Sequence, residues 1–223
     1  MGFAEHADRL PSSALARLQG QNWPAMRDYY EELWRGLPKT VKLPDWELRR
    51  GFLVAGVRPG NRALDVGCGD GVFTAELAAC GAQPVGTDVA EAALERARER
   101  NPGLDFRHVA ADGPLPFEDN TFDLVWASEV IEHVGDTARW LSEVRRVLTP
   151  GGRLLATTPS HGRLRLLLGG VERFSPPLGD HLHLYTRRSL RALLEEFGFG
   201  EVHVRAAGGA PGLRRVLLVL ATR

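Results

Sequence analysis

Cysteine is scarce: Cys68 and Cys80 are the only two in 223 residues. Two cysteines cannot build a disulfide framework or a four-cysteine zinc site, so packed apolar side chains must carry the fold. Lysine is almost missing, with Lys39 and Lys42 set in an otherwise all-arginine basic complement. No apolar run approaches the roughly 18 residues that read as a membrane span; the longest, 216–221, is strand length. The first ten residues carry charges where a secretory signal would carry its apolar stretch, so the expectation is a soluble, cytoplasmic protein. Internal repeats and low-complexity tracts are absent. What is present, 43% hydrophobic and 25% charged residues, suits one globular domain with a short appendage and excludes a disordered or collagen-like chain.

Net charge is zero but unevenly spread. Residues 1–138 hold 14 basic and 22 acidic residues, a balance of −8, and residues 139–223 hold 14 basic and 6 acidic, a balance of +8. Solvated helix faces explain most such runs. The sharper alternative is a C-terminal side that draws an anionic small-molecule substrate. An acidic N-terminal half argues against nucleic acid as the partner.

The first 60 residues read as helical. An amphipathic run at 26–34 is broken by Gly36 and Pro38, and a second helix runs from near Asp45 to about Val57, where Pro59 and Gly60 stop it. From Arg62 short apolar runs alternate with helical periods, the pattern of βαβ units on a parallel sheet. Strands are expected at 63–66, 84–87, 104–109, 122–127, 153–157, 201–205 and 216–221, and helices at 72–79, 91–100, 137–148 and 187–197. A turn at Thr149, Pro150, Gly151 and Gly152 should lead into the fifth strand. The last two strands have no helix between them, which favours an antiparallel pair. The connection 159–186 is long, and long connections in compact domains often carry function.

The first strand runs into Asp65, Val66, Gly67, Cys68, Gly69, Asp70 and Gly71. Glycines there let the backbone take positive φ and approach a ligand closely, and the helix that follows offers unpaired N–H groups. A plain tight turn would also account for them. The dinucleotide fingerprint would place its third glycine at 72, which is Val72, so a nicotinamide-dependent oxidoreductase is disfavoured. Asp65 suits a ligand with a positive amino group better than a pyrophosphate. Asp88 ends the second strand, where an acidic residue hydrogen-bonds ribose hydroxyls; a cap for the next helix is the alternative. Asp112 follows the third strand and is placed to accept from an exocyclic adenine amine. All three lie at carboxyl ends of strands, where open α/β sheets bind ligands.

Taken in order with Phe122-Asp123-Leu124-Val125 and Leu148-Thr149-Pro150-Gly151-Gly152, these motifs resemble those of class I S-adenosylmethionine-dependent methyltransferases across residues 50–223. The resemblance implies a Rossmann-like α/β fold: a seven-stranded, mostly parallel sheet with the last strand antiparallel, and S-adenosylmethionine as cofactor. It implies a helical cap at 1–50 and a cofactor-binding domain at 51–223. It places Asp65, Gly67 and Gly69 near the methionine moiety, Asp88 on the ribose and Asp112 near the adenine. Cys68, Val89, Gly113 and Ser128 join them as cofactor contacts, with Cys68 a small packed residue in the turn.

Methyl transfer to a hydroxyl needs a proton acceptor or a metal. The fourth strand leads into Glu129, Glu132 and His133, which would share a face if that turn is helical. With His181, from the run Asp180-His181-Leu182-His183, they form a candidate divalent-metal set; His133 and Glu129 are the candidate catalytic residues. A capping turn with a packed imidazole is the competing reading. The cluster resembles two methyltransferase groups, the ubiquinone-biosynthesis O-methyltransferases and the small-RNA 2′-O-methyltransferases. The chain departs from the second in lacking a strongly basic N-terminal half. The segment 160–177 is expected to roof the acceptor pocket, unless it is a surface helix. Tyr29, Tyr30 and Trp34 either line that pocket or belong to the core. The expected function is methyl transfer to a small-molecule hydroxyl. Transfer to nitrogen, carbon or an RNA end, and cofactor binding without catalysis, stay open.

Overall fold

The computed structural model describes residues 26–38, 41–111, 113–169 and 181–223. Its seven strands are β1 (Arg62–Val66), β2 (Gln83–Asp88), β3 (Asp105–His108), β4 (Phe122–Ser128), β5 (Leu148–Pro159), β6 (Gly200–Ala207) and β7 (Val216–Thr222). They form one sheet in the order β3-β2-β1-β4-β5-β7-β6. β1 to β5 pair in parallel, and β7 runs antiparallel to both β5 and β6. The helices are α1 (Met26–Gly36), α2 (Trp46–Gly56), α3 (Val72–Ala79), α4 (Glu91–Arg100), α5 (Thr137–Val147), α6 (Arg163–Gly169) and α7 (Arg187–Glu196).

The central strands are mostly apolar because helices cover both faces of the sheet. Side chains alternate between the two layers. Leu124, Trp126 and Leu155 join Leu53 of α2 and Phe73 and Leu77 of α3 on one side. Val125, Ala127, Leu154 and Ala156 join Leu141 and Val144 of α5 and Leu190 and Leu194 of α7 on the other. Each fully buried leucine of this kind contributes about 1.5–3 kcal/mol relative to exposure. Gly56 of α2 lies directly on Leu155, whose Cδ1 an added Cβ would strike.

Local signals set the helix ends. Asp136 Oδ1 accepts from Arg139 N at 2.9 Å to start α5. Thr186 and Ser189 form a reciprocal capping box on α7. α1 docks on the start of α4 through Tyr29, Leu33, Trp34 and Leu37 against Ala90, Ala92 and Ala93. Glu31 accepts from Ala92 N at 3.2 Å, and Arg96 donates to the carbonyls of Leu37 and Pro38 at 2.7 and 3.0 Å.

The expected elements are present in the expected order. β5 differs in length: it begins at Leu148 and takes in the residues expected to form only a turn. Gly151 has φ +76°, and pairing with β4 shifts register between Phe122 and Leu124, so the bend is absorbed inside the strand. A cap boundary at residue 50 falls inside α2, whose Leu53 belongs to the sheet's own core.

Candidate active site

A cavity of about 270 Å³ opens at the carboxyl ends of the strands, lined from the turns after β1, β2, β3 and β4 and from α1, α2 and α5. It sits where β2 and β4 flank β1, the crevice in which open α/β sheets bind ligands.

The glycine turn forms one wall. Gly67 and Gly69 have φ +67° and +55°. A Cβ on Gly67 would lie 2.6 Å from Val130 Cγ2, and one on Gly69 would lie 2.8 Å from the Trp34 ring, so only glycine fits beneath these neighbours. Cys68 is buried and donates its backbone N–H to Thr87 O at 2.9 Å. Asp88 lines the cavity with both oxygens engaged: Gly69 N donates to Oδ2 and Ala90 N to Oδ1, each at 2.9 Å. Burial pushes its carboxyl above the usual range against these two backbone donors. The capping alternative for Asp88 is half right. It holds the turn before α4, but the N-cap itself is Ala90. Val89, Gly113 and Ser128 also face the cavity. Asp112 lies outside the described residues.

Asp65 is brought close but does not line the cavity. It is buried beneath the turn and accepts from Thr74 Oγ1 at 2.6 Å. Burial pushes its carboxyl up to about 7, opposed by the Thr74 hydrogen bond and reinforced by the charge of Asp88.

After β4 the two glutamates part company. The turn is not helical at its start, because Glu129 has φ +58° and gives its N–H to Thr157 O at 2.8 Å. Thr157 and Thr158 are neighbours on β5 and face opposite sides of the sheet. Thr157 Oγ1 donates to Glu129 Oε1 at 3.1 Å and lies 2.9 Å from Ser128 Oγ. Thr158 Oγ1 donates to Glu132 Oε2 at 2.8 Å. Glu129 is thereby turned toward α2, where its Oε2 lies 2.9 Å from Nη2 of the buried Arg49.

Glu132 is fully buried on the other side, 3.7 Å from His133 Nε2 through Oε1. Burial, and next the charge of Glu129, push its carboxyl well above the ordinary range. The His133 ring stands edge-on to His181 at 5.1 Å and to Tyr30 at 6.0 Å. Glu132, His133 and His181 offer ligand atoms that all lie within 4.8 Å of one another. The expected quartet is thus a trio. Glu129 leaves it because Arg49 and Thr157 hold its carboxylate on the other side. His133 and Glu129 both face the cavity.

Tyr30 and Trp34 line the cavity from α1, while Tyr29 is buried against α4. Asp180 and residues 170–177 of the expected roof lie outside the described residues, and 163–169 form α6. Arg49 was not among the expected site residues. Its signal lies in helical spacing, three residues after Trp46 and four before Leu53, which puts a charge on the apolar face of α2.

Residues 64–156 match the family described as "Methyltransferase domain". The demethylmenaquinone methyltransferase of Beutenbergia cavernae is 35% identical over 189 residues, covering 75% of this chain and 78% of that one. The ubiquinone biosynthesis O-methyltransferase of Hahella chejuensis is 38% identical over 104 residues, covering 45% of this chain and 44% of that one. Of the other curated relatives, three are matched over 33% to 52% of their own length and three over 69%. An S-adenosylmethionine-dependent methyltransferase structure from Mesorhizobium loti shares the fold, with a TM-score of 0.64, 24% identity, and coverage of 80% of this chain and 97% of that one. The chain belongs to the class I S-adenosylmethionine-dependent methyltransferases, whose seven-stranded sheet it carries complete. Among the described residues no helix is long and apolar enough to cross a membrane.

Proposed function

We propose that this chain transfers a methyl group from S-adenosylmethionine to a hydroxyl of a small molecule, with His133 taking the hydroxyl proton. The observation that carries the reading is the placement of His133. Its imidazole lines the same cavity as the glycine turn and Asp88, and it is backed by buried Glu132. The names of the relatives, a demethylmenaquinone methyltransferase and a ubiquinone biosynthesis O-methyltransferase, support an acceptor of the quinone type.

The residues present fit the cofactor. Gly67 and Gly69 leave a floor that a Cβ would fill, and Asp88 keeps lone pairs for two ribose hydroxyls after its two backbone bonds. Val89 and Gly113 would flank the adenine, and Ser128 the methionine end. When bound, S-adenosylmethionine supplies an electrophilic methyl on a sulfonium, and alignment with water exclusion does much of the rest. Tyr30, Leu33 and Trp34 line the cavity from α1 and would shield the reacting centre from water on that side. The +8 balance of the C-terminal part favours an acceptor that carries a negative group.

One observation favours a second version of the same reaction. Glu132 Oε1 is buried with no hydrogen-bond partner among the described residues, and it points into a three-ligand cluster. Such an atom is costly unless something fills the gap. A divalent cation held by Glu132, His133 and His181 fits, and it would lower the pKa of an acceptor hydroxyl as a Lewis acid.

His133→Ala separates the readings. As sole base, His133 should account for roughly 10²–10⁴-fold in rate, with chelators inert and cofactor affinity unchanged. With a metal, chelation should abolish transfer, a divalent cation should restore it, and His181→Ala should match His133→Ala. A full rate in His133→Ala would remove the imidazole from the chemistry.

A further inference from the structure

We propose that the outward face of α6, together with Leu182 and Leu213, docks this protein on an anionic lipid surface. An apolar stripe at i, i+3 and i+4 normally faces the core of a globular protein. In α6 it faces out: Leu164, Leu167 and Leu168 are 42%, 82% and 69% exposed. Of the six exposed large hydrophobic side chains among the described residues, five are these three with Leu182 and Leu213. They belong to one region. A Cβ on Gly212, next to Leu213, would lie 3.2 Å from Leu164 Cδ2. Ser160, just before α6, donates its N–H to Arg215 O at 2.7 Å. His161 donates its N–H to Tyr185 O at 2.9 Å, and its ring lies 6.0 Å from that of His181, the neighbour of Leu182.

Charge selects the occupant. In sequence α6 begins Arg163-Leu164-Arg165-Leu166-Leu167-Leu168, and α7, which starts two residues after Tyr185, opens on exposed Arg187 and Arg188. Exposed leucines beside exposed arginines match a bilayer interface, where acyl chains take the side chains of Leu164, Leu167 and Leu168 and anionic headgroups the guanidinium groups of Arg187 and Arg188. The excess of basic residues after position 138 adds attraction of the same sign. Docked in this way, the protein would bring His181, whose ring lies 5.1 Å from that of cavity-lining His133, to the lipid side.

Flotation with phosphatidylglycerol-containing vesicles tests this, with pure phosphatidylcholine vesicles as reference. Wild type should float with the anionic vesicles, be released by raised salt, and float poorly with the neutral ones. The double variant Leu167→Asp/Leu168→Asp should lower the partition coefficient about tenfold or more, with S-adenosylmethionine affinity unchanged as proof of fold. Arg187→Glu/Arg188→Glu should weaken binding to anionic vesicles in the same direction, and serves as the test if the leucine variant fails to fold. Three results would overturn the proposal. The first is wild type that does not bind anionic vesicles, and the second is variants that bind them as tightly as wild type. The third is a wild-type dimer in light scattering that the leucine variant turns into a monomer, in which case a second copy covers the face.

Discussion

Asp88 and Asp65 lie on adjacent strands and are asked for opposite things. Asp88 faces the cavity with both oxygens pre-oriented by Gly69 and Ala90. Asp88→Ala should weaken S-adenosylmethionine binding by about 1.5–3 kcal/mol, or roughly 10- to 150-fold, the worth of hydrogen bonds to a charged group. Calorimetry reads it directly, and unchanged affinity in a folded variant would take Asp88 out of the cofactor site. Asp65 has no such outlet. Its carboxyl is pushed up to about 7, so between the ordinary aspartate value of 3.8 and about 7 the native state binds a proton that the unfolded chain has lost. The stability tied to that proton is complete below about pH 4 and is lost as the pH rises through about 7. Asp65→Asn never ionises. Its unfolding free energy relative to wild type should therefore move in the variant's favour across that window, by up to about 1.4 kcal/mol for each step of one in pH. Denaturant titrations at pH 4, 6 and 8 would show it, and a constant difference would mean that Asp65 ionises as freely folded as unfolded.

The elements that carry the site are coupled through two arginines. Arg49 brings α2 onto the end of β4, and Arg96 ties the end of α1 to α4. Arg49→Leu would leave Glu129 in a largely buried place without its counter-charge, at a cost of about 3–5 kcal/mol. The double variant Arg49→Leu/Glu129→Leu should recover much of that. A double-mutant cycle in urea measures the coupling, and additive single effects would show the pair to be incidental. This is also where sequence reading stopped. Spacing is a local property, so the glycine turn, Asp88 and the alternation of strands and helices could be read from neighbouring residues. The separation of Glu129 from Glu132 could not. It depends on which side of the sheet Thr157 and Thr158 face, and on a helix some eighty residues upstream supplying Arg49. His133 and His181, by contrast, were legible as a pair, because each follows a strand or precedes a helix whose end the sequence marks.

For the molecule as a whole, a ligand that binds only the native state should raise the unfolding temperature. S-adenosylmethionine at 100 times its Kd adds about 2.7 kcal/mol, roughly 5–10 °C for a chain of this size. Thermal scans with and without it should show the shift, and Asp88→Ala should show less of it at equal concentration. An acceptor with a negative group should turn over more slowly as ionic strength rises, since screening removes the attraction of the basic C-terminal part. A salt-independent rate with the true acceptor would return those arginines to the solvated surface.

The order of synthesis on the ribosome gives β7 a further significance. β5 is bonded on one side to β4 and on the other to β7, which pairs with it from Arg153 to Pro159. Until β7 emerges, the strand that carries Thr157 and Thr158 has one unpaired edge, and its register rests on β4 alone. A slip of one residue would exchange the faces of the two threonines and hand each glutamate to the wrong side. The chemistry built around residues 129–133 therefore waits on a strand translated long after it. A nascent chain halted before residue 216 would hold the glycine turn and the histidines, yet lack the strand that flanks the two threonines sorting the carboxylates.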